Sequence, residues 1–211
     1  MGINRHKVFI SYYHAEDQYY KNVLSNMKYY NFDKYCYESI FDDYSVRNGD
    51  IDDTFLTPEQ IRRIIRDDFI QDATVLILLC GRNTKRRKHV DWEIHAAMYD
   101  SDVNPQMGIV VINLPTISQR MRASHEGEEE LLNPLTTWQR ASKDRLDNEQ
   151  KYPYMPDRII DNFVADKPIT VVDWDVIEGN PIKLMQLIDN AFIDRNGFSY
   201  DHSRPLRKNN S

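Results

Sequence analysis

Three short runs limit what this chain can fold into. Residues 74–80 (TVLILLC), 108–114 (GIVVINL) and 169–174 (ITVVDW) are apolar at nearly every position. A strand with one wet face alternates apolar and polar side chains, so a run apolar on both faces needs cover on both sides. Between these runs lie segments of helical spacing. Ile61, Ile64, Ile65 and Phe69 form one stripe, a helix is expected over residues 89–100, and residues 181–194 carry Leu184, Ile188, Ala191 and Phe192 on one side. Strands alternating with helices predict βαβ units, a mainly parallel sheet and, through right-handed crossovers, helices on both faces. A β-rich run at residues 7–11 (KVFIS) and a weaker one at 35–40 bring the strands to five. The expected fold class is α/β, flavodoxin-like, with strand order 2-1-3-4-5.

The rest of the chain fits around that sheet. Tyr20, Val23, Leu24 and Met27 suggest a helix over residues 16–30, and residues 42–53 read as a long acidic loop. Thr57, Pro58 and Gln60 have the spacing of a capping box that opens the next helix. Residues 115–167 contain no clear strand, an acidic run at 126–130 and the aromatic, proline-rich stretch around Tyr152 and Tyr154. A structureless loop of that length is rare in a compact domain, so this insertion should hold one or two short helices and could cover a site. The organisation expected is one domain over residues 1–201, with 202–211 a disordered tail.

Bulk properties remove several functions. The net charge of −6 disfavours nucleic acid as a partner; the one basic cluster, residues 85–88 (KRRK), has the chemistry to hold a diphosphate or to form a solvated turn. No apolar run approaches the roughly 20 residues that span a bilayer, and the opening residues have no signal-peptide core, so no membrane is expected and the reading is cytoplasmic. Cys36 and Cys80 cannot make a zinc site alone and read as buried free thiols. Neither GxxxxGK[ST], a strand-following GxGxxG, HExxH nor GxSxG occurs. His89, Asp91, Glu93 and His95 are two residues apart in succession, so no single helical face collects them, and no metal site is expected.

In an open parallel sheet, ligands bind beyond the carboxyl ends of the strands, where the strand order reverses. Three predicted loops border that point, and they carry Ser11, Tyr12, Tyr13, His14, Arg82, Asn83, Thr84 and Asn113. The helix opening with Val90, Asp91, Trp92 and Glu93 starts beside them. Without further information Glu93 could equally be a solvated first-turn carboxylate favoured by the helix dipole.

The strand Val8-Phe9-Ile10-Ser11-Tyr12, the buried run ending at Cys80 and then Trp92-Glu93-Ile94, within HVDWEIHAAMYD, resemble bacterial TIR-like proteins of the Thoeris antiphage-defence type. The resemblance covers about residues 7–115. It implies that Glu93 is the catalytic residue, that NAD is the substrate and no other cofactor is needed, and that the nicotinamide–ribose bond is cleaved. It implies further an ADP-ribose-derived signal that activates a separate effector protein, and self-assembly through TIR–TIR contacts. Ser11, Tyr12, Tyr13, Arg82, Asn83, Trp92 and Asn113 are the substrate-binding candidates, joined by Asp43 and Arg47, which fall where TIR domains carry a mobile loop near the nucleotide. Two alternatives stay open: a non-catalytic TIR interaction module, and a nucleoside deoxyribosyltransferase-like enzyme whose carboxylate is a nucleophile.

Overall fold

The computed structural model describes residues 5–45, 56–57, 60, 63–65, 70, 72–101, 105–132 and 142–210. Its centre is a five-stranded, all-parallel sheet. The first strand, β1 (Lys7–Ser11), is followed by α1 (His14–Ser25), and β2 (Lys28–Asn31) pairs antiparallel with β3 (Cys36–Ser39) as a separate hairpin. A two-residue strand, β4 (Asp42–Asp43), returns to the main sheet, which continues with β5 (Val75–Cys80), β6 (Gly108–Asn113) and β7 (Ile169–Asp173). The order is β4-β1-β5-β6-β7. This is the expected 2-1-3-4-5 arrangement, with a different second strand.

That difference has a local cause. The helix expected to run to Tyr30 stops at Ser25, and the tyrosines after it enter the hairpin, as β-favouring residues do. The Asn31 side chain accepts from the backbone N–H groups of Asp33 and Lys34 at 3.0 and 3.3 Å and turns the chain. The 35–40 run is thus the hairpin's return strand. The edge of the main sheet falls to Asp42 and Asp43, in what reads by composition as a loop. Cys36, expected to be buried, is exposed on the hairpin, whereas Cys80 is buried.

The two faces of the sheet follow from strand parity. Phe9, Leu76, Leu78, Ile109, Val111, Ile169 and Val171 point to one face, against Val90, Ile94 and Ala97 of α2 (Lys88–Met98) and Ile159, Ile160 and Phe163. Val8, Ile10, Ile77, Leu79, Val110 and Ile112 point to the other, against Leu24 and the closing helix. On the first face Ser11, Cys80 and Asn113 continue the odd or even series of their strands to the carboxyl edge.

The described part of the insertion holds three helices, α3 (Glu128–Leu132), α4 (Arg145–Lys151) and α5 (Asp157–Val164). It also closes the sheet edge, because Arg122 and Val171 exchange two backbone hydrogen bonds of 2.8 Å. One member of the acidic run turns inward: Glu128 is 1% exposed and accepts from Thr170 Oγ1, Asn190 and two backbone N–H groups. The short α6 (Trp174–Ile177) leads to α7 (Pro181–Asp194), whose Asn180 cap accepts from Lys183 N and whose first residue is proline. The expected capping box is present: Thr57 N donates to Gln60 Oε1 and Gln60 N to Thr57 Oγ1. Residues 202–210 depart from expectation, since they pack against α2 and α5 instead of forming a loose tail. Among the described residues no helix is long and apolar enough to cross a membrane, and no group of three His, Cys, Asp or Glu is placed to hold a metal ion.

Candidate active site

The carboxyl edge is organised around one contact. Ser11, last residue of β1 and fully buried, donates through Oγ to Glu93 Oε2 at 2.5 Å. Parity explains why Ser11 makes it: Phe9 and Ser11 face the α2 side, whereas Ile10 and Tyr12 face the other. The helix carrying Glu93 begins at Lys88, so Glu93 lies in its second turn and Asp91 is the first-turn acid. A dipole effect fades within the first turn, which weakens the reading of Glu93 as a helix-end charge. Protein atoms crowd its carboxyl. This desolvation pushes the pKa up to about 7, although the Ser11 hydrogen bond pulls the other way. Near neutral pH the group is therefore divided between an acid and a carboxylate.

Tyr12 lies close by. Its hydroxyl donates to Gln18 Oε1 at 2.8 Å and its ring stacks on His14 at 4.2 Å. Burial raises its pKa, and the charges of Glu93 and Asp43 add to the rise. Asp43, on the edge strand, is desolvated, but hydrogen bonds from Lys21, Ser25 and Ser45 outweigh this and hold its carboxyl below the usual value. Tyr13 caps α1 with its backbone, and the Arg87 guanidinium lies 3.9 Å over its ring. Ser11, Tyr12, Asp43 and Glu93 thus form one neighbourhood, with Tyr13 following directly in the chain.

Other candidates are engaged elsewhere. Asn83 donates to both Glu16 oxygens, at 2.9 and 3.0 Å, and Arg82 is exposed on the same turn. Asn113 is buried; it donates to Asp173 Oδ1 at 2.7 Å and accepts from Gln119 at 2.6 Å. Those three residues help line a cleft of about 280 Å³ at the ends of β6 and β7. Trp92 is in the core, with its indole N–H donated to the Arg207 carbonyl. Of the basic turn, Lys85 bonds the Pro153 carbonyl and Lys88 lies 5.2 Å from the Trp92 ring centre. Tyr152 is buried against Phe163. Arg47 lies outside the described residues.

Sequence reasoning missed the support beneath the loop after β5. Asp17 is 2% exposed, and Thr84 Oγ1 donates to it at 3.4 Å while accepting from Gly81 N at 2.9 Å. A Cβ on Gly81 would stand 2.8 and 2.9 Å from the Asp17 oxygens, so any larger residue there would force that carboxylate to shift. Desolvation raises the Asp17 pKa to about 6, and Glu16 adds to it. The available signal was an acid in the first turn of the helix after β1.

The sequence profile described as the TIR-like domain of the Thoeris protein ThsB matches residues 9–119, which is 111 of the 211 residues. The chain belongs to this TIR-like family. The matched stretch runs from β1 through β6 and includes both Ser11 and Glu93. Neither curated proteins nor solved structures gave a match. In this TIR-like domain everything after residue 119, including the three insertion helices, β7 and α7, lies beyond the matched region.

Proposed function

We propose that this TIR-like domain cleaves the nicotinamide–ribose bond of NAD, with Glu93 as the catalytic carboxylate, and passes an ADP-ribose-derived signal to a separate effector in antiviral defence. The observation that carries the reading is the Ser11–Glu93 contact. It is a desolvated carboxyl held by a buried hydroxyl at the ligand-binding edge of a parallel sheet. Family membership supports it independently.

The chemistry suits a single carboxylate. Nicotinamide in NAD is already cationic, so it leaves as a neutral molecule without a general acid. The ribose left behind carries positive charge at its anomeric carbon. An ionised Glu93 beside the ribose stabilises that charge and accepts from its hydroxyls. The carboxylate is worth more there than in water, because the same crowding that raises its pKa also weakens solvent screening. Ser11 keeps the oxygen pair aimed and favours the ionised form. In this reading Tyr12 and Asp43, the other candidates of the same neighbourhood, border the remainder of the nucleotide. No further cofactor enters this scheme.

Incubating the full chain with NAD, alone and in extracts of phage-infected cells, tests the reading by mass spectrometry. Release of nicotinamide together with an ADP-ribose derivative supports it; intact NAD under both conditions rejects it.

Self-assembly is a second reading, compatible with the first. On the hairpin Phe32, Tyr35 and Tyr37 are 78%, 81% and 69% exposed, and Tyr30 packs edge-on against both Phe32 and Tyr37. Such a cluster of exposed aromatic rings favours a contact surface. Sedimentation of the wild type and of a Phe32→Ser, Tyr35→Ser variant reads it directly: a shift to the monomer in the variant supports the contact, and identical profiles reject it.

A further inference from the structure

Helix α2 lacks a cap of its own. Arg87 stands at its N-cap and makes no side-chain cap hydrogen bond, so the opening N–H groups depend on partners from elsewhere. One such partner, and two contacts to side chains of the helix's opening residues, come from more than a hundred residues away. Lys88 N donates to Asn210 Oδ1 at 2.9 Å, Arg207 N donates to Asp91 Oδ2 at 2.9 Å, and Trp92 Nε1 donates to the Arg207 carbonyl at 2.8 Å.

Beneath this strap sits Arg158 of α5, with no solvent exposure. Its Nε and Nη2 grip the two Asp91 oxygens at 3.1 Å each, and Nη1 and Nη2 also donate to the carbonyls of Arg204 and Pro205 at 3.0 and 3.2 Å. The segment is fastened again upstream. Asp201 and Asn162 exchange two hydrogen bonds, and Arg204 pairs with Asp161. An apolar contact would bury the same surface more cheaply than an ion pair, since desolvating two charges offsets most of their attraction. What a forked guanidinium adds is direction. Here it fixes at once the first turn of α2 and the segment lying across it, and Glu93 follows Asp91 by two residues.

We propose that Arg158 and residues 204–210 are positioning elements for Glu93, holding the first turn of α2 so that the carboxylate meets Ser11. The proposal rests on Glu93 being the acting carboxylate. At the β1 end, the Ser11 hydrogen bond acts on the Glu93 charge, and that charge in turn raises the Tyr12 pKa. The strap's hydrogen bonds run to Lys88, Asp91, Trp92 and Arg158, so its influence on Glu93 is transmitted by the helix.

The test uses the full chain with Arg207→Pro, which deletes the N–H donated to Asp91, together with the guanidinium that pairs with Asp157, and keeps the carbonyl that Trp92 uses. Asn210→Ala, which removes only the cap on Lys88, serves if the first variant does not fold. Two readouts need no turnover: amide exchange over residues 88–94, and the carboxyl titration of Glu93 followed by carbon NMR, assigned by its loss in Glu93→Gln. The proposal expects exchange over 88–94 to quicken at least tenfold while β6 stays protected, and the Glu93 midpoint to move by at least half a pH unit. With NAD it expects kcat to fall at least tenfold and KM to stay within threefold. Wild-type exchange and an unmoved midpoint overturn it, as does quickened exchange with an unmoved midpoint and unchanged kcat. If the wild type never cleaves NAD, the catalytic reading of Glu93 fails, while a moved midpoint still shows that the strap sets the carboxyl's surroundings.

Discussion

Replacing Ser11 by alanine isolates the contact on which the site depends. The hydroxyl is fully buried and donates to Glu93 Oε2 at 2.5 Å. It favours the ionised form of Glu93 against the desolvation that lifts its pKa to about 7. A hydrogen bond to a charged group contributes about 1.5–3 kcal/mol. At 1.36 kcal/mol per pH unit, losing it raises the Glu93 pKa by about one to two units further. If the carboxylate is the active form, the ionised fraction at pH 7 falls from about one half to between about 10% and 1%. The rate of NAD cleavage at pH 7 should then drop about 5- to 50-fold, with most of it recovered two to three pH units higher. The assay is kcat/KM for nicotinamide release between pH 5.5 and 9.5, which reports on groups of the free enzyme. An acid limb that stays in place, or a loss equal at every pH, refutes the argument.

Other expectations follow from the same geometry. Asp17 is buried and its carboxyl pKa is raised to about 6, so the folded state holds its proton more tightly than the unfolded chain does. The stability that proton provides is complete below the ordinary carboxylate pKa and is lost as pH rises through about 6. Asp17→Asn should therefore gain nothing near pH 4 and become more stable than wild type at pH 7.5, by on the order of 1–3 kcal/mol in denaturant unfolding; a pH-independent difference contradicts this. Gly108→Ala places a Cβ 2.0 Å from the carbonyl oxygen of Ala191 in α7. Because backbone must move, the cost should reach or exceed about 3 kcal/mol, a drop of at least about 6 °C in thermal midpoint; a variant that melts within 2 °C of wild type overturns the close packing of α7 on β6.

How much of this was legible depends on whether the signal was local. The strands β5, β6 and β7 were plain, because burial on both faces makes nearly every position apolar. The position of Glu93 at the carboxyl edge followed from topology, and Ser11 could be chosen as a neighbour. Which residue beside it would touch Glu93 required strand parity together with the face that α2 covers. The edge strand was invisible: Asp42 and Asp43 join the sheet by backbone pairing, and an edge needs no apolar side chains. Asn113 reads from the sequence as a ligand candidate, and only register shows that it also stands opposite Asp173 on the neighbouring strand. Residues 202–210 looked like a tail because they carry a single apolar side chain, Leu206. Their attachment runs through Asp91 and Arg158, 67 residues apart in the chain, and no local pattern records such a pairing. The reaction itself came from family resemblance; the geometry supplies a reason why one glutamate suffices.

The most direct measurement is the release of nicotinamide from NAD by the purified wild type and by Glu93→Gln, side by side at pH 8, both folded to the same thermal midpoint within a few degrees. The account predicts turnover by the wild type and a loss of at least about 1,000-fold in the variant, as removal of a central electrostatic group produces. Equal turnover by the two proteins contradicts it.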